Sequence, residues 1–60
     1  KGMFREYNEN NQLKFEVEYI NGKENGKGIE FYDNGILKFE GEYFNGQKCN
    51  GKQYNNNEEI

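Results

Sequence analysis

The chain has 60 residues, a formal net charge of −3 and no proline, histidine or tryptophan. That length holds one small domain at most. With 32% apolar residues, the chain cannot remove enough surface from water by itself to offset the entropy of ordering it. These numbers predict either a stretch of a longer array or a chain that needs a partner. Serine, threonine and alanine are also missing, and Cys49 is the single thiol. Hydroxyl nucleophiles, phosphoserine and phosphothreonine switches and N-glycosylation are excluded, which leaves no ordinary catalytic inventory and predicts a non-enzyme. One cysteine and no histidine build neither a zinc site nor an internal disulfide, so no metal or cofactor is expected, and the free thiol points to a reducing, cytoplasmic setting. No run of ten consecutive apolar residues exists, so no segment is expected to span or target a membrane.

Eleven asparagines and ten glutamates would suit a disordered chain, but five phenylalanines and five tyrosines at regular spacing argue against disorder. That spacing is an internal repeat. Residues 1–26 align with residues 27–51, and residues 52–60 begin a third, incomplete unit. Within the repeat, Leu13-Lys14-Phe15-Glu16-Val17-Glu18-Tyr19 matches Leu37-Lys38-Phe39-Glu40-Gly41-Glu42-Tyr43 at six of seven positions.

In chain order, residues 3–7 read as a first strand, and the turn at residues 8–12 lacks glycine, which leaves its register open. Residues 13–19 alternate strictly, with Leu, Phe, Val and Tyr on one side and Lys, Glu and Glu on the other, the pattern of a half-buried strand. Residues 20–27 are predicted to be a long hairpin loop with positive φ at Gly22 and Gly26. Residues 28–32 form a third strand, and Asp33-Asn34-Gly35 closes a three-residue turn with Gly35 in the left-handed position. A two-residue Asn34-Gly35 turn would set Glu30 against Phe39, whereas the three-residue turn pairs Phe31 with Leu37, Glu30 with Lys38 and Ile29 with Phe39. Residues 37–43 repeat the alternating strand. Residues 44–52 read as a second long loop with positive φ at Gly46 and Gly51. Residues 52–55 make a last short strand, and residues 56–60 are expected to fray. The fold class is all-β, a meander of about five antiparallel strands.

These residues resemble the MORN repeat, whose pattern runs aromatic-x-Gly-x-aromatic, Asn-Gly, Gly-x-Gly and a further aromatic. Phe39, Gly41, Tyr43, Asn45, Gly46, Gly51 and Tyr54 fall on it in one unit, and Phe15, Tyr19, Asn21, Gly22, Gly26, Gly28 and Tyr32 in the other. Val17 stands in for a glycine, Asn50 adds a residue, and Gln53 replaces the last glycine. The run from Tyr32 to Tyr43 is similar to the variant found in bacterial antitoxin-like proteins and in protists. The resemblance implies a single-layer β-hairpin array that works as a scaffold or docking module, sometimes at phospholipid surfaces, and not as a catalyst.

Other patterns weaken on inspection. Gly46-x-x-x-x-Gly51-Lys52 mimics a phosphate-binding loop, but Gln53 stands where a metal-binding hydroxyl is needed and no helix follows. The pairs Glu16/Glu18 and Glu40/Glu42 sit on a solvent face beside Lys14 and Lys38, a setting that does not tune a carboxyl for acid–base work. Asp33-Asn34 is a turn signature and not a calcium cage, and the excess of negative charge disfavours nucleic acid. Cys49, at an expected loop tip, has only Lys48 to activate it. What remains is an aromatic stripe of Phe15, Tyr19, Phe31, Phe39, Tyr43 and Tyr54, which serves either as core or as an interaction face for a protein partner or a second copy, with Phe15, Phe39 and Tyr43 central. The alternative is a lipid-facing module using Lys23, Lys27, Lys48 and Lys52, expected to gather on loops at one end of the meander.

Overall fold

The computed structural model describes residues 2–56. They form five antiparallel strands in one open sheet, ordered as in the chain: β1 (Gly2–Tyr7), β2 (Leu13–Ile20), β3 (Lys23–Phe31), β4 (Leu37–Phe44) and β5 (Gln47–Gln53). The chain is thus an all-β, single-layer hairpin meander, 42 × 25 × 11 Å along its principal axes. Part of the tail expected to fray, residues 57–60, lies outside the described residues, as does most of that third unit's end.

The two long loops expected at residues 20–27 and 44–52 are instead tight turns followed directly by strand. Ile20 faces Lys23 across Asn21-Gly22, with φ of 55° and 80°. Phe44 faces Gln47 across Asn45-Gly46, with φ of 54° and 86°. Two consecutive left-handed residues make the turn whose twist matches that of paired strands, and Asn-Gly is the pair that adopts it most readily. The polar residues after each turn are therefore ladder residues of β3 and β5. Gly26 and Gly51 keep the expected positive φ (121° and 148°), but inside strands, Gly26 where the pairing with β2 is interrupted and Gly51 in register with Gly41.

The three-residue turn is as expected. Tyr32 N–H donates to the Ile36 carbonyl (2.8 Å), Gly35 N–H donates to the Tyr32 carbonyl (2.9 Å), Gly35 has φ 89°, and Phe31 faces Leu37. One residue further the expected pairing fails. Lys38 is an extra residue in β4, so Glu30 faces Phe39 and Ile29 faces Glu40, in place of the expected Glu30–Lys38 and Ile29–Phe39 pairs. The first hairpin repeats this arrangement. Asn8 N–H bonds the Gln12 carbonyl (3.0 Å), Asn11 N–H bonds the Asn8 carbonyl (3.0 Å), Tyr7 faces Leu13, and Lys14 is the bulged residue before Glu6 meets Phe15. Asn11, at φ 62°, occupies the left-handed slot that Gly35 fills in the second hairpin. Asn8 Oδ1 reinforces the turn by accepting from the N–H groups of Asn10 and Gln12.

The bulges decide what each face carries. Without the extra Lys38, Lys27 would face Gly41; with it, Gly28 faces both Val17 and Gly41, and Gly51 continues the same row. The row Phe4, Val17, Gly28, Gly41, Gly51 is a trough across the sheet, flanked by the row that holds Phe15 and Phe39 and the row that holds Tyr19 and Tyr43. The flanking rings lie over the glycines. A Cβ at Gly28 would stand 2.5 Å from Tyr43 Cε1 and 2.9 Å from Val17 Cγ2, and one at Gly51 would stand 2.8 Å from Phe39 Cζ. This is how one layer makes a core: Val17 is fully buried, and Phe39 and Tyr43 are 4% and 7% exposed.

The two three-residue turns suggest a stability test. Nothing lies within 4 Å of a Cβ on Gly35, so only its positive φ restricts the residue. Gly35→Asn, which copies Asn11, should change stability by no more than a few tenths of a kcal/mol, whereas Gly35→Val should cost more than ~1 kcal/mol. Urea midpoints of the two variants check this; equal midpoints would contradict it.

Candidate interaction surface

The six aromatics expected to form one stripe do not share a face. Phe15, Tyr19, Phe39 and Tyr43 do, but strict alternation along β3 puts Phe31 on the opposite side with Ile29, because the bulge reverses its relation to Phe39. Tyr54 lies past β5, where its N–H donates to the Lys38 carbonyl (2.9 Å) and its own carbonyl accepts the Tyr32 hydroxyl (2.9 Å). Phe15 meets Phe4 and Tyr43 edge to face at centroid distances of 5.9 and 6.0 Å, and Phe39 meets Tyr43 at 5.8 Å. Tyr43 reaches Phe15 over the middle strand, which is possible because Gly28 leaves that space empty. With Phe39 and Tyr43 so covered by their own sheet, little of their area is left for a partner.

Glu30 sits on this aromatic face between Phe15 and Phe39. Lys38 Nζ, brought round by the bulge, and Lys48 Nζ lie 3.6 and 3.4 Å from its carboxylate. Lys48 also stands 4.4 Å from the Phe39 ring centroid, so its stem and charge roof the ring that the glycines floor. Such partly exposed ion pairs contribute little each, about 0–1 kcal/mol, but they let a carboxylate stay on an apolar face. Burial, and then the Glu30 and Glu24 charges, raise the Tyr43 phenol above its ordinary value of 10.0.

The opposite face carries Glu16, Glu18, Glu40 and Glu42 around Ile29, with Met3 at the margin, and together they line a concavity of about 410 Å³. Lys14 and Lys38, expected beside these carboxylates, are the bulged residues. Glu16 instead pairs with Arg5 (3.1 Å), Glu18 accepts the Lys27 N–H (3.0 Å), and Lys27 and Lys52 face Glu42 and Glu40 across the ladder. Among the described residues no three His, Cys, Asp or Glu side chains converge to hold a metal ion.

The four lysines expected to gather on end loops are strand residues and do not gather. Lys23 follows the first Asn-Gly turn, Lys48 covers the aromatic face, and Lys27 and Lys52 face glutamates on the other side. The phosphate-loop mimic is likewise extended: Gln47–Gln53 is β5. Cys49 is not at a loop tip; it is the extra residue of a bulge in β5, exposed, with Sγ 3.6 Å from the Glu42 carbonyl.

The sequence reading passed over the side chains that stay open. Phe44 is 65% exposed, Ile20 and Ile36 about 39% and 40%, and three more belong to β1: Met3 (44%), Phe4 (46%) and Tyr7 (55%). A signal for β1 exists in the register: Phe4 stands in the slot that Gly28 and Gly51 occupy, a large residue where the interior of the sheet admits none.

Two measurements follow from this geometry. The folded chain keeps the Tyr43 proton at a pH where the unfolded chain, titrating near 10, has lost it, so stability is complete below pH ~10 and falls as pH rises above it. Tyr43→Phe should retain the fold and move the alkaline unfolding midpoint upward; an unmoved midpoint would contradict the assignment. Phe39→Ser should act as a core deletion, costing about 3–5 kcal/mol by analogy with large-to-small changes, and unfold the chain in circular dichroism.

No protein family, no curated protein and no solved structure matches the chain.

Proposed function

We propose that the chain is a non-catalytic, MORN-type hairpin module that holds a protein partner or a second copy of itself. The observation that carries this reading is that Met3, Phe4 and Tyr7, distributed over both faces of β1, are exposed apolar side chains on a strand at the open edge of the sheet. Apolar side chains on an edge whose backbone groups are unpaired favour addition of another strand. The phospholipid reading ranks second. It needs a local cluster of uncompensated lysines, and Lys27, Lys48 and Lys52 each have a glutamate close by or across the ladder.

Sedimentation velocity over a hundredfold concentration range, together with co-sedimentation on neutral and phosphatidylserine-containing vesicles, separates the two. Association that grows with concentration and no vesicle binding are expected. A chain that stays monomeric and pellets only with anionic vesicles would favour the lipid module.

A further inference from the structure

The two open edges of the sheet differ in kind. β5 is polar throughout, carries Lys48 and Lys52, and is bent by the bulge at Cys49 and by Gly51 at φ 148°, all devices that turn an approaching strand away. β1 has neither a bulge nor a positive-φ glycine, although it too carries charge, at Arg5 and Glu6. It is regular from Gly2 to Tyr7, because the irregularity in its pairing with β2 comes from Lys14, and it displays Met3, Phe4 and Tyr7. Asn8 N–H is bonded to the Gln12 carbonyl, so counting back by alternation Gly2, Phe4 and Glu6 direct their backbone groups toward β2. Met3, Arg5 and Tyr7 direct theirs outward.

We propose, building on the interaction reading above, that β1 pairs antiparallel with β1 of a second copy about a two-fold axis through Phe4. The axis follows from the side chains. A two-fold normal to the sheet keeps like faces together, so it lies midway between the two strands and level with a residue of β1 that faces its own copy, the residue the axis is named by here. An axis through Arg5 sets guanidinium against guanidinium, and one through Glu6 sets carboxylate against carboxylate, both of which are unfavourable for residues directly opposite. An axis through Phe4 sets the two phenyl rings opposite each other, Met3 of each copy opposite Arg5 of the other, and Gly2 opposite Glu6. It brings no like charges together and pairs all of residues 2–6, whereas an axis level with Met3 or Tyr7 would pair at most three residues of β1. The outward-directed groups of Met3 and Arg5 then face each other as hydrogen-bonded pairs, and the Phe4 pair falls at the non-hydrogen-bonded position, where side chains approach most closely. Phe4 already stacks edge to face on Phe15 at 5.9 Å, so the aromatic face of one copy would run into that of the next. Arg5 is held by Glu16 of its own chain at 3.1 Å, across the ladder on β2, so its charge is already paired when Met3 of the other copy packs beside it. The seam is one strand wide, which makes the dimer weak and concentration-dependent.

The register is tested by mixing two chains, Met3→Cys and Arg5→Cys, each in a Cys49→Ala background, under oxidised and reduced glutathione. The mixed disulfide dimer is expected well beyond its statistical share, because only Met3 and Arg5 face each other. The edge itself is tested on a synthetic chain N-methylated at Arg5, which keeps every side chain and removes one outward donor. Its circular dichroism should be unchanged and its dimer dissociation constant about tenfold or more higher, the loss expected for two hydrogen bonds across the seam. A dimer with statistical cross-linking, or one unaffected by the methyl group, overturns this seam while leaving self-association in place. A chain that sediments as a monomer at millimolar concentration overturns self-association itself.

Discussion

Phe39 and Tyr43 lie across backbone that has no side chain of its own, and the rest of the molecule is arranged so that they can. A single sheet has no second layer to bury its apolar face, so its rings must find cover within their own plane of side chains. Gly28, Gly41 and Gly51, aligned across three neighbouring strands, open a trough one residue wide, and the rings from the rows on either side fold down into it. Aromatic rings are suited to this because each removes a large area from water with only two torsions to fix. Val17, the one branched residue in that row, is the only fully buried side chain among the described residues.

Keeping the glycines in line takes irregular strands. Lys14 and Lys38 each bulge at the same point of the repeated Leu-Lys-Phe run, and Asn25-Gly26 and Cys49 interrupt the pairing after the Asn-Gly turns. Bulges strengthen twist locally, and a strongly twisted sheet brings side chains of next-neighbour strands together, as Phe15 and Tyr43 are brought together here. The same displacement turns Lys38 toward Glu30, so the feature that shifts the register also supplies a counter-charge for the carboxylate it places among the rings.

The faces and edges consequently have different chemistry. One face is an aromatic core roofed by Lys48, and the other is an acidic cradle around Ile29 in which Glu16 pairs with Arg5 and lysines face Glu40 and Glu42 across the ladder. At one edge β5 is polar and bent; at the other, Phe4 stands at the end of the glycine row and closes the trough with a ring. β1 is unbulged and leaves Met3, Phe4 and Tyr7 exposed beside the charged Arg5 and Glu6, which suits it better than β5 to meeting another chain.

From the sequence alone, the all-β class, the number of strands, the left-handed glycines and the three-residue turn at Asp33-Asn34-Gly35 were determined, because period-two alternation and positive φ are properties of a few adjacent residues. The absence of serine, threonine and histidine is legible for the same reason: an inventory needs no geometry. The Asn-Gly pairs at residues 21–22 and 45–46 read as parts of long loops, since nothing local shows that the polar residues after them, from Lys23 and Gln47 on, will have strand partners. The bulges at Lys14 and Lys38 were decided only in the tertiary structure. A one-residue extra in a ladder is stabilised by what it aligns two strands away, here glycine beneath ring, and no window of neighbouring residues contains that information. For this reason Phe31, alternating as the other aromatics do, lies on the opposite face, and Phe39 and Tyr43 are core while Met3, Phe4 and Tyr7 remain in the open.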